Sequence, residues 1–432
     1  MVCSKLDNPQ WKQRRDKPAT QMTLEGKTTW DFLRSFTIEE THQYTHGLHL
    51  YPAKMVPQIA REVIGKLSKP SDVVLDPFCG SGGVLVESLV SNRKSLGIDI
   101  NDLALLLARA KTTYISTSKI HQALRLIIDS AKRKSKKVLE PDQKLSLEKI
   151  PNLYHWFKPY VAESLQILRK EIESIQDKEL QEFLLACFSA TMYSVSNIRK
   201  NDNPYFIRIL HTEELAKHKP RVFEQFAKVV KQNAKALKSL SRIDRETTWA
   251  KTFKASAKEL ISFVGKEAAN LIVTSPPYGE EKNTMDYSRF SKLSLYWLGL
   301  DNEYVKTMRT KALGARPREW EGEDIPSRTL VERLLEVAER SKRRAEDVYS
   351  FFYDFQSCLK QMFDSLKQDS YCCIVMGDRT ASRISIPNSK ITSELCESIG
   401  YVPVELLKRK MYMRTLRSSV IGSESVLIMK RL

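Results

Sequence analysis

The sequence predicts an α/β protein whose mostly parallel sheet is interrupted by a large helical insertion. Two short apolar runs end in Gly or Pro turns, SDVVLDPFCGSGG at 71–83 and ANLIVTSPPYG at 269–279, as expected for buried parallel strands. A helical segment and a further apolar run, SLGIDI at 95–100, follow the first turn and complete a βαβ unit. Between 115 and 245 glycine is scarce and apolar residues recur with helical spacing.

The elements follow in order along the chain. The amphipathic pattern PQIAREVIGKL predicts a helix from Pro57 to Leu67, and VLVE at 84–87 opens the helix after the Gly-rich turn. In the insertion, Leu165, Leu168 and Ile172 fall on one helix face, which indicates core packing. The predicted units are an N-terminal arm (1–45), the first half of the sheet domain (46–114), the helical insertion (115–245), the second half of the sheet domain (246–300), a second insertion (301–350) and C-terminal strands and helices (351–432).

The C-terminal region returns to strand patterns. SYCCIVMGD at 370–378 predicts a strand, and a helix is predicted through KITSELCESIG. VPVELLKRK and SESVLIMKR then predict two further strands. We expect these two to form an antiparallel hairpin at the edge of the sheet.

Composition limits the classes of function. The 432 residues carry a formal net charge of +18, which suggests a polyanionic partner, most simply nucleic acid. A basic protein without such a partner is the alternative. The seven scattered cysteines include no C-x-x-C pair, which suits a reducing cytosol. No apolar stretch is long enough to span a membrane and the N-terminus lacks the core of a signal peptide, so we expect a cytoplasmic protein.

The Gly-rich turn at 76–83 suits a nucleotide-type ligand. It matches neither G-x-G-x-x-G nor the Walker pattern, so no pyrophosphate cradle is indicated. Asp99 ends the next strand, 19 positions after Gly80, where acidic residues hold ribose hydroxyls in dinucleotide-binding folds. The turn therefore favours an adenosine-containing cofactor, with an ordinary βα turn as the alternative.

Three motifs resemble one enzyme family. DPFCGSGG, GIDI and TSPPYG resemble the amino-methyltransferases that use S-adenosylmethionine on exocyclic nitrogens of bases, whose motifs are D-P-F-x-G-S-G-T and D/N/S-P-P-Y/F/W. HGLHLYPAKM, DYSRFSKLSLYWLGL, IVMGDRT and ESVLIMKR resemble further family segments. The resemblance covers the sheet domain well and the insertions weakly. It implies a Rossmann-like methyltransferase sheet and S-adenosyl-L-methionine as the cofactor.

The resemblance also implies roles for single residues. Asp76 would lie near the amino group of the cofactor, and Asp99 would take the ribose hydroxyls. Ser256 stands where the family often has an Asp that contacts adenine. The full set implied for cofactor binding is Pro52, Ala53, Lys54, Asp76, Phe78, Gly80, Gly82, Asp99 and Ser256.

The TSPPY segment is expected to be catalytic. An exocyclic amine is a poor nucleophile because its lone pair is delocalised into the ring. Acceptors for its hydrogens, the Ser275 hydroxyl and the Pro276 carbonyl, would favour a pyramidal nitrogen, and Pro276-Pro277 would hold them rigidly. Tyr278 would stack on a base extruded by base flipping. No metal is required.

The expected substrate is cytosine in DNA. In the resembling family, Ser at the first catalytic position is associated with N4-methylcytosine and Asp with N6-methyladenine. An adenine-N6 enzyme, an RNA base methyltransferase and a nucleic-acid-binding protein with a degenerate cofactor site remain alternatives. A restriction-modification role is implied, with double-stranded DNA as partner and possible pairing with a restriction endonuclease.

Target recognition is expected mainly in 115–245, with 301–346 as a second contact surface. Basic residues there would contact phosphates and amides would contact base edges. The residues expected to contact nucleic acid are Lys132, Arg133, Lys134, Arg199, Lys200, Asn201 and Asn203.

Two other features suggest different chemistry and are weighed against it. His42, His46 and His49 invite a zinc site, yet no fitting cysteine or carboxylate set lies nearby. Cys79 is not in the Pro-Cys setting of enzymes that attack cytosine at carbon, so we interpret it as a small residue within the turn.

Overall fold

A seven-stranded sheet forms the centre of the protein in the computed structural model. The structure describes residues 30–34, 36–52, 54–136, 147, 149–199, 208–279, 287–321, 325–410 and 423–432. The strands are β1 (Val73–Asp76), β2 (Lys94–Asp99), β3 (Ala250–Lys254), β4 (Ala269–Thr274), β5 (Leu366–Gly377), β6 (Arg379–Ala381), β7 (Ile384–Ile386), β8 (Tyr401–Lys410) and β9 (Ser423–Arg431).

The strand order is β3-β2-β1-β4-β5-β9-β8, and the pairs from β3 to β5 are all parallel. β9 runs antiparallel to both β5 and β8. The two final strands therefore pair at the sheet edge as expected, with β9 placed inside β8. This arrangement confirms the predicted fold class, a mostly parallel Rossmann-like sheet with an antiparallel C-terminal edge.

Helices cover the sheet and form the region between β2 and β3. They are α1 (Ile38–Thr41), α2 (Pro57–Leu67), α3 (Gly83–Val90), α4 (Asp102–Thr112), α5 (Thr117–Lys134), α6 (Leu153–Trp156), α7 (Pro159–Glu173), α8 (Lys178–Val195), α9 (Thr212–Lys217), α10 (Val222–Leu237), α11 (Leu260–Val264), α12 (Tyr287–Trp297), α13 (Asn302–Thr310), α14 (Arg328–Arg340), α15 (Lys342–Ser365) and α16 (Asn388–Ile399). In the described ranges, no helix has both the length and the apolar character needed to cross a membrane.

Alternating side chains of the central strands build a core on each face. Val74 and Leu271 face α2, whereas Leu75 and Ile272 face α14 and α15. All four are fully buried, and each such side chain stabilises the fold by roughly 1.5–3 kcal/mol. This burial on both faces explains why β1 and β4 are continuous apolar runs instead of alternating patterns.

The helical insertion has a core of its own. Leu165, Leu168 and Ile172 are fully buried in it, so their spacing reflects packing. The same cluster includes side chains of α12 and α13, among them Trp297 and Met308. Those two helices therefore connect the insertion to the chain that follows the TSPPY motif.

Two features near the C-terminus were not anticipated by sequence patterns. α15 is one unbroken helix through the expected boundary at residue 350, because its apolar face packs continuously against the sheet. β6 and β7 form a small separate hairpin whose turn residues, Ser382 and Arg383, have positive φ angles. Strands of three residues are too short for periodicity to reveal.

Candidate active site

The carboxyl ends of β1, β2 and β4 open into one cavity, with the segment after β3 at its side. In parallel sheets these ends meet at the same edge, and ligands bind there. The cavity has a volume of about 250 Å³. Of the residues expected to bind cofactor or act in catalysis, those in its lining are Lys54, Asp76, Phe78, Gly80, Asp99, Ser256, Ser275 and Pro277.

Asp76 ends β1 with a buried carboxylate. One of its oxygens accepts hydrogen bonds from the Thr274 hydroxyl at 2.7 Å and from the Phe78 amide at 3.1 Å. Burial outweighs these bonds and raises the pKa of Asp76 to about 7. A cation bound beside it would restore the charged form.

Asp99 ends β2 and faces the same cavity. Its two oxygens accept from the Gly80 amide at 2.9 Å and the Asn101 amide at 2.8 Å, which connects the Gly-rich turn to the second strand. Burial raises its pKa to about 6. Each oxygen keeps a further lone pair for a ligand hydroxyl.

The glycines of the first turn have different tasks. Gly80 lines the cavity with φ +48°. Gly82 does not line it, in contrast to the expectation, because it faces α4: a Cβ there would lie 2.8 Å from the Ala108 Cα. Gly82 therefore allows close packing of α3 on α4. Cys79 is buried with its sulfur against Gly97, as expected of a small packing residue.

The segment before α2 forms one end of the cavity. Lys54 lines it and donates through Nζ to the His46 carbonyl at 3.2 Å. Pro52 is half-buried but outside the lining, and Ala53 lies outside the described residues. Ser81 also lines the cavity, although no sequence pattern had assigned it a role.

Ser256 lines the cavity directly after β3. Its hydroxyl accepts from the Lys258 amide at 3.3 Å and caps the short 3₁₀ turn Ala257–Glu259. Ser256 is therefore available only in part to a ligand, since capping already uses one lone pair.

The TSPPY segment leaves β4 at the edge of the cavity. Ser275 and Pro277 line the cavity, whereas Pro276 is buried. Tyr278 is half-buried outside the lining, with its hydroxyl 3.4 Å from Ser275 Oγ. Burial raises the pKa of Tyr278, so its hydroxyl stays protonated at neutral pH.

Three residues that no sequence motif assigned hold this segment in place. Asn388 Nδ2 donates to the carbonyls of Tyr278 at 3.0 Å and Gly377 at 2.9 Å. Arg379 donates to the Gly279 carbonyl. Gly279 has φ +84°, and a Cβ there would lie 2.8 Å from the Arg379 guanidinium carbon. Only the closing glycine of TSPPYG offered a sequence signal for any of them.

The opposite wall comes from the second insertion. Arg344, Asp347 and Phe351 of α15 line it together with residues 311–315. Asp354 fixes the latter segment by accepting from the Gly314 amide at 3.1 Å. This region was expected to form a DNA-contacting surface, and no motif revealed its part in the cavity.

The residues expected to contact nucleic acid lie away from the cavity. Lys132, Arg133 and Lys134 are exposed at the end of α5, and Lys134 contacts Glu171 at 2.5 Å. Arg199 lies 3.1 Å from His211 Nε2. Among described residues, none from 115–245 lines the cavity, and the remaining expected contacts, Lys200, Asn201 and Asn203, lie outside the described residues.

The histidines near the N-terminus belong to separate polar networks. His46 Nε2 lies 2.7 Å from Glu87, and His49 Nε2 lies 2.9 Å from the Ser189 hydroxyl. Burial lowers the pKa of both, to about 4 for His49. Within the part of the chain that the structure describes, no cluster of His, Cys, Asp and Glu is arranged for a metal ion.

Similarity to known proteins places this site in a family. A family profile described as "DNA methylase" (N6_N4_Mtase) matches residues 4–109. Type II methyltransferase M.MvaI of Kocuria varians is 33% identical over 382 residues, which cover 84% of this chain and 82% of that protein. Type II methyltransferase M.MjaII of Methanocaldococcus jannaschii is 26% identical over 37% of this chain and 31% of its own length.

Among solved structures, the rRNA methyltransferase aviRa from Streptomyces viridochromogenes aligns over 93% of this chain and 96% of its own, with 11% identity and a TM-score of 0.35. The assignment depends on M.MvaI, because its identity extends over most of both chains. This chain belongs to the N6/N4 family of type II DNA methyltransferases, amino-methyltransferases that use S-adenosylmethionine.

Proposed function

We propose that the chain methylates the exocyclic N4 amine of a cytosine flipped out of double-stranded DNA. The observation that carries the proposal is that Ser275 and Pro277 line the same cavity as Asp76 and Asp99. An acceptor for the reacting amine and the carboxylates for the cofactor thus share one enclosed space. Such proximity is the main contribution a protein makes when the cofactor supplies the electrophile.

The cavity fits the cofactor of this family. S-adenosylmethionine supplies a sulfonium methyl group as the electrophile. Asp76 would pair with its amino group and Asp99 with its ribose hydroxyls, since the hydrogen bonds that these carboxylates accept within the protein come from uncharged donors. Phe78 and Ile100 supply apolar lining nearby.

Ser275 and Pro276 would prepare the amine. Their oxygens accept its two hydrogens, which keeps the nitrogen lone pair directed away from the ring and relieves the nitrogen of its proton as it is methylated. Asn388 and Arg379 hold the following backbone carbonyls, so the segment needs little rearrangement during the reaction. Tyr278 offers a ring face beside Ser275 for the flipped base.

Two observations support cytosine over adenine. The family associates Ser at the position of Ser275 with N4 of cytosine. In addition, Arg344 lines the cavity and is oriented by Asp347 at 3.2 Å. Beside its amino group cytosine presents two ring-edge acceptors, N3 and O2, whereas adenine presents N1 and a C–H. A guanidinium, which carries only donors, complements the cytosine edge better.

The proposal includes a cellular role. The relatives found above are named type II methyltransferases. We infer that this chain modifies a specific DNA sequence within a restriction-modification system, alongside an endonuclease with the same target.

Mass spectrometry of nucleosides tests the reaction. Duplex DNA, single-stranded DNA and total RNA are incubated with the full chain and methyl-labelled cofactor, then digested. We expect labelled N4-methylcytosine from duplex DNA. Label in N6-methyladenine would contradict the choice of base, and label mainly in RNA would contradict the choice of polymer. Ser275→Ala serves as the matched control, because it should abolish most labelling from either base.

A further inference from the structure

Lys111 is a fully buried lysine beside the Gly-rich turn. It lies in the last turn of α4, and its Nζ donates to the Ser81 hydroxyl at 2.9 Å. Thr45 donates to its backbone carbonyl at 2.9 Å, which fixes this end of the helix. Ser81 is itself nearly buried and lines the cavity. One hydroxyl thus separates the buried amine from the cavity.

The surroundings of Lys111 are basic. Lys54 and the three histidines, His42, His46 and His49, share an electrostatic environment with it. The nearby carboxylate is Glu87, which contacts His46 at 2.7 Å and Arg61 at 2.9 Å. Among described residues, no carboxylate forms an ion pair with Lys111.

A buried amine without a counter-charge is costly. Burial lowers the pKa of Lys111 well below its ordinary value, and Lys54 lowers it further. A lysine in a core is normally replaced by an apolar residue or paired with an acid. The position of Lys111 behind a cavity-lining hydroxyl instead suggests that its counter-charge arrives with a ligand.

The cavity provides the complement. Asp76 and Asp99 give it a region that attracts cations, whereas Lys54 and the Ser81–Lys111 pair give it a region that attracts anions. The methionine end of the cofactor is a zwitterion that carries an ammonium and a carboxylate on one carbon. Two adjacent regions of opposite charge match it.

We propose that Lys54, Ser81 and Lys111 form a subsite for the α-carboxylate of S-adenosylmethionine. Lys54 and Ser81 would contact the carboxylate, and Lys111 is a positioning residue that acts through Ser81. Lys111 orients the hydroxyl and supplies positive charge from behind the turn. The proposal depends on the identity of the cofactor and not on which base is methylated.

Calorimetric titration of the full chain with two ligands tests the subsite. The ligands are S-adenosylmethionine and its decarboxylated analogue, which keeps the ammonium and the sulfonium but lacks the carboxylate. We expect Lys111→Met to weaken binding of S-adenosylmethionine about tenfold, as for removal of a charge-assisted hydrogen bond. Binding of the decarboxylated analogue should change less than about twofold, because that ligand has no carboxylate for the subsite to hold.

A structural role for Lys111 would give another result. If the lysine only held the turn in shape, both ligands would lose affinity equally, and that result or unchanged binding of both would overturn the proposal. Thr45→Val is the matched control, since it removes a bond at the same end of α4 and leaves Nζ in place. If Lys111→Met does not fold, Ser81→Ala carries the test with the same ligand-selective loss expected.

Discussion

Two buried carboxylates set the chemistry of the cavity at the scale of single residues. Asp76 and Asp99 lie at the ends of neighbouring strands, and each accepts backbone or hydroxyl hydrogen bonds without an ion-pair partner among the described residues. Their raised pKa values reflect burial in the absence of ligand. Ligand binding and proton binding therefore compete at these two positions.

Cofactor affinity should fall as the pH is lowered. The pKa of Asp76 is about 7 and that of Asp99 about 6. Below these values the carboxylates are protonated and lose their attraction for the cofactor ammonium, so binding should weaken steadily from about pH 8 to about pH 5.5. Titrations across this range measure the effect. Asp76→Asn should bind weakly at the upper end of this range and lose the upper part of the dependence. A pH-independent affinity in the unaltered protein would contradict the assignment.

The TSPPY side chains should affect turnover more than cofactor binding. Tyr278→Ala removes a stacking surface worth roughly 1–3 kcal/mol per base, whereas Tyr278→Phe keeps the ring. Ser275→Ala should lower the single-turnover rate because its oxygen acts as the transition state forms. Cofactor affinity should be retained in all three. Full methyl transfer by Tyr278→Ala would show that the base is received elsewhere.

At the scale of elements, the TSPPYG segment depends on residues from the far end of the chain. Gly279 needs its positive φ, and it also needs an empty Cβ position, because Arg379 and Phe351 lie within 2.9 Å of that point. Asn388, at the start of α16, holds the Tyr278 carbonyl. The geometry of TSPPYG is thus fixed by the hairpin and helix that follow β5.

A glycine pair separates backbone strain from steric conflict. Gly265 has φ +87° and no atom near its Cβ position, so Gly265→Ala should cost about 1 kcal/mol of stability and leave activity intact. Gly279→Ala adds a clash to the same strain and should reduce methyl transfer sharply, with cofactor affinity retained. Thermal unfolding and single-turnover assays compare them. Equal effects of the two variants on activity would refute a specific role for Gly279.

At the scale of the whole molecule, positive charge extends beyond the cavity. The chain carries +18, and the exposed cluster Lys132–Lys134 lies in the helical insertion. Replacing these three residues with Ala should lower the salt slope of DNA binding by about 0.9 for each phosphate that they neutralise. Methyl transfer at saturating DNA should be little changed. An unaltered slope would place the DNA-binding surface elsewhere, for example on 301–346.

The sequence by itself determined the sheet and the identity of its two functional turns. Local patterns suffice there, because β1 and β4 are buried on both faces and their turns use Gly and Pro for specific backbone conformations. The motifs then identified the family. Asp76, Asp99 and Ser275 could be placed together without any knowledge of long-range packing, since the ends of parallel strands converge at one edge.

Only the tertiary structure decided which distant residues complete the cavity. Arg344, Asp347, Asn388 and Lys111 lie on helices whose periodicity reports packing and not the ligand-facing side. Gly82 was wrongly expected to line the cavity for the related reason that glycine permits close approach without specifying whether ligand or helix approaches. Long-range interactions made by single side chains leave no repeat in a sequence, so their roles emerge once the chain is folded.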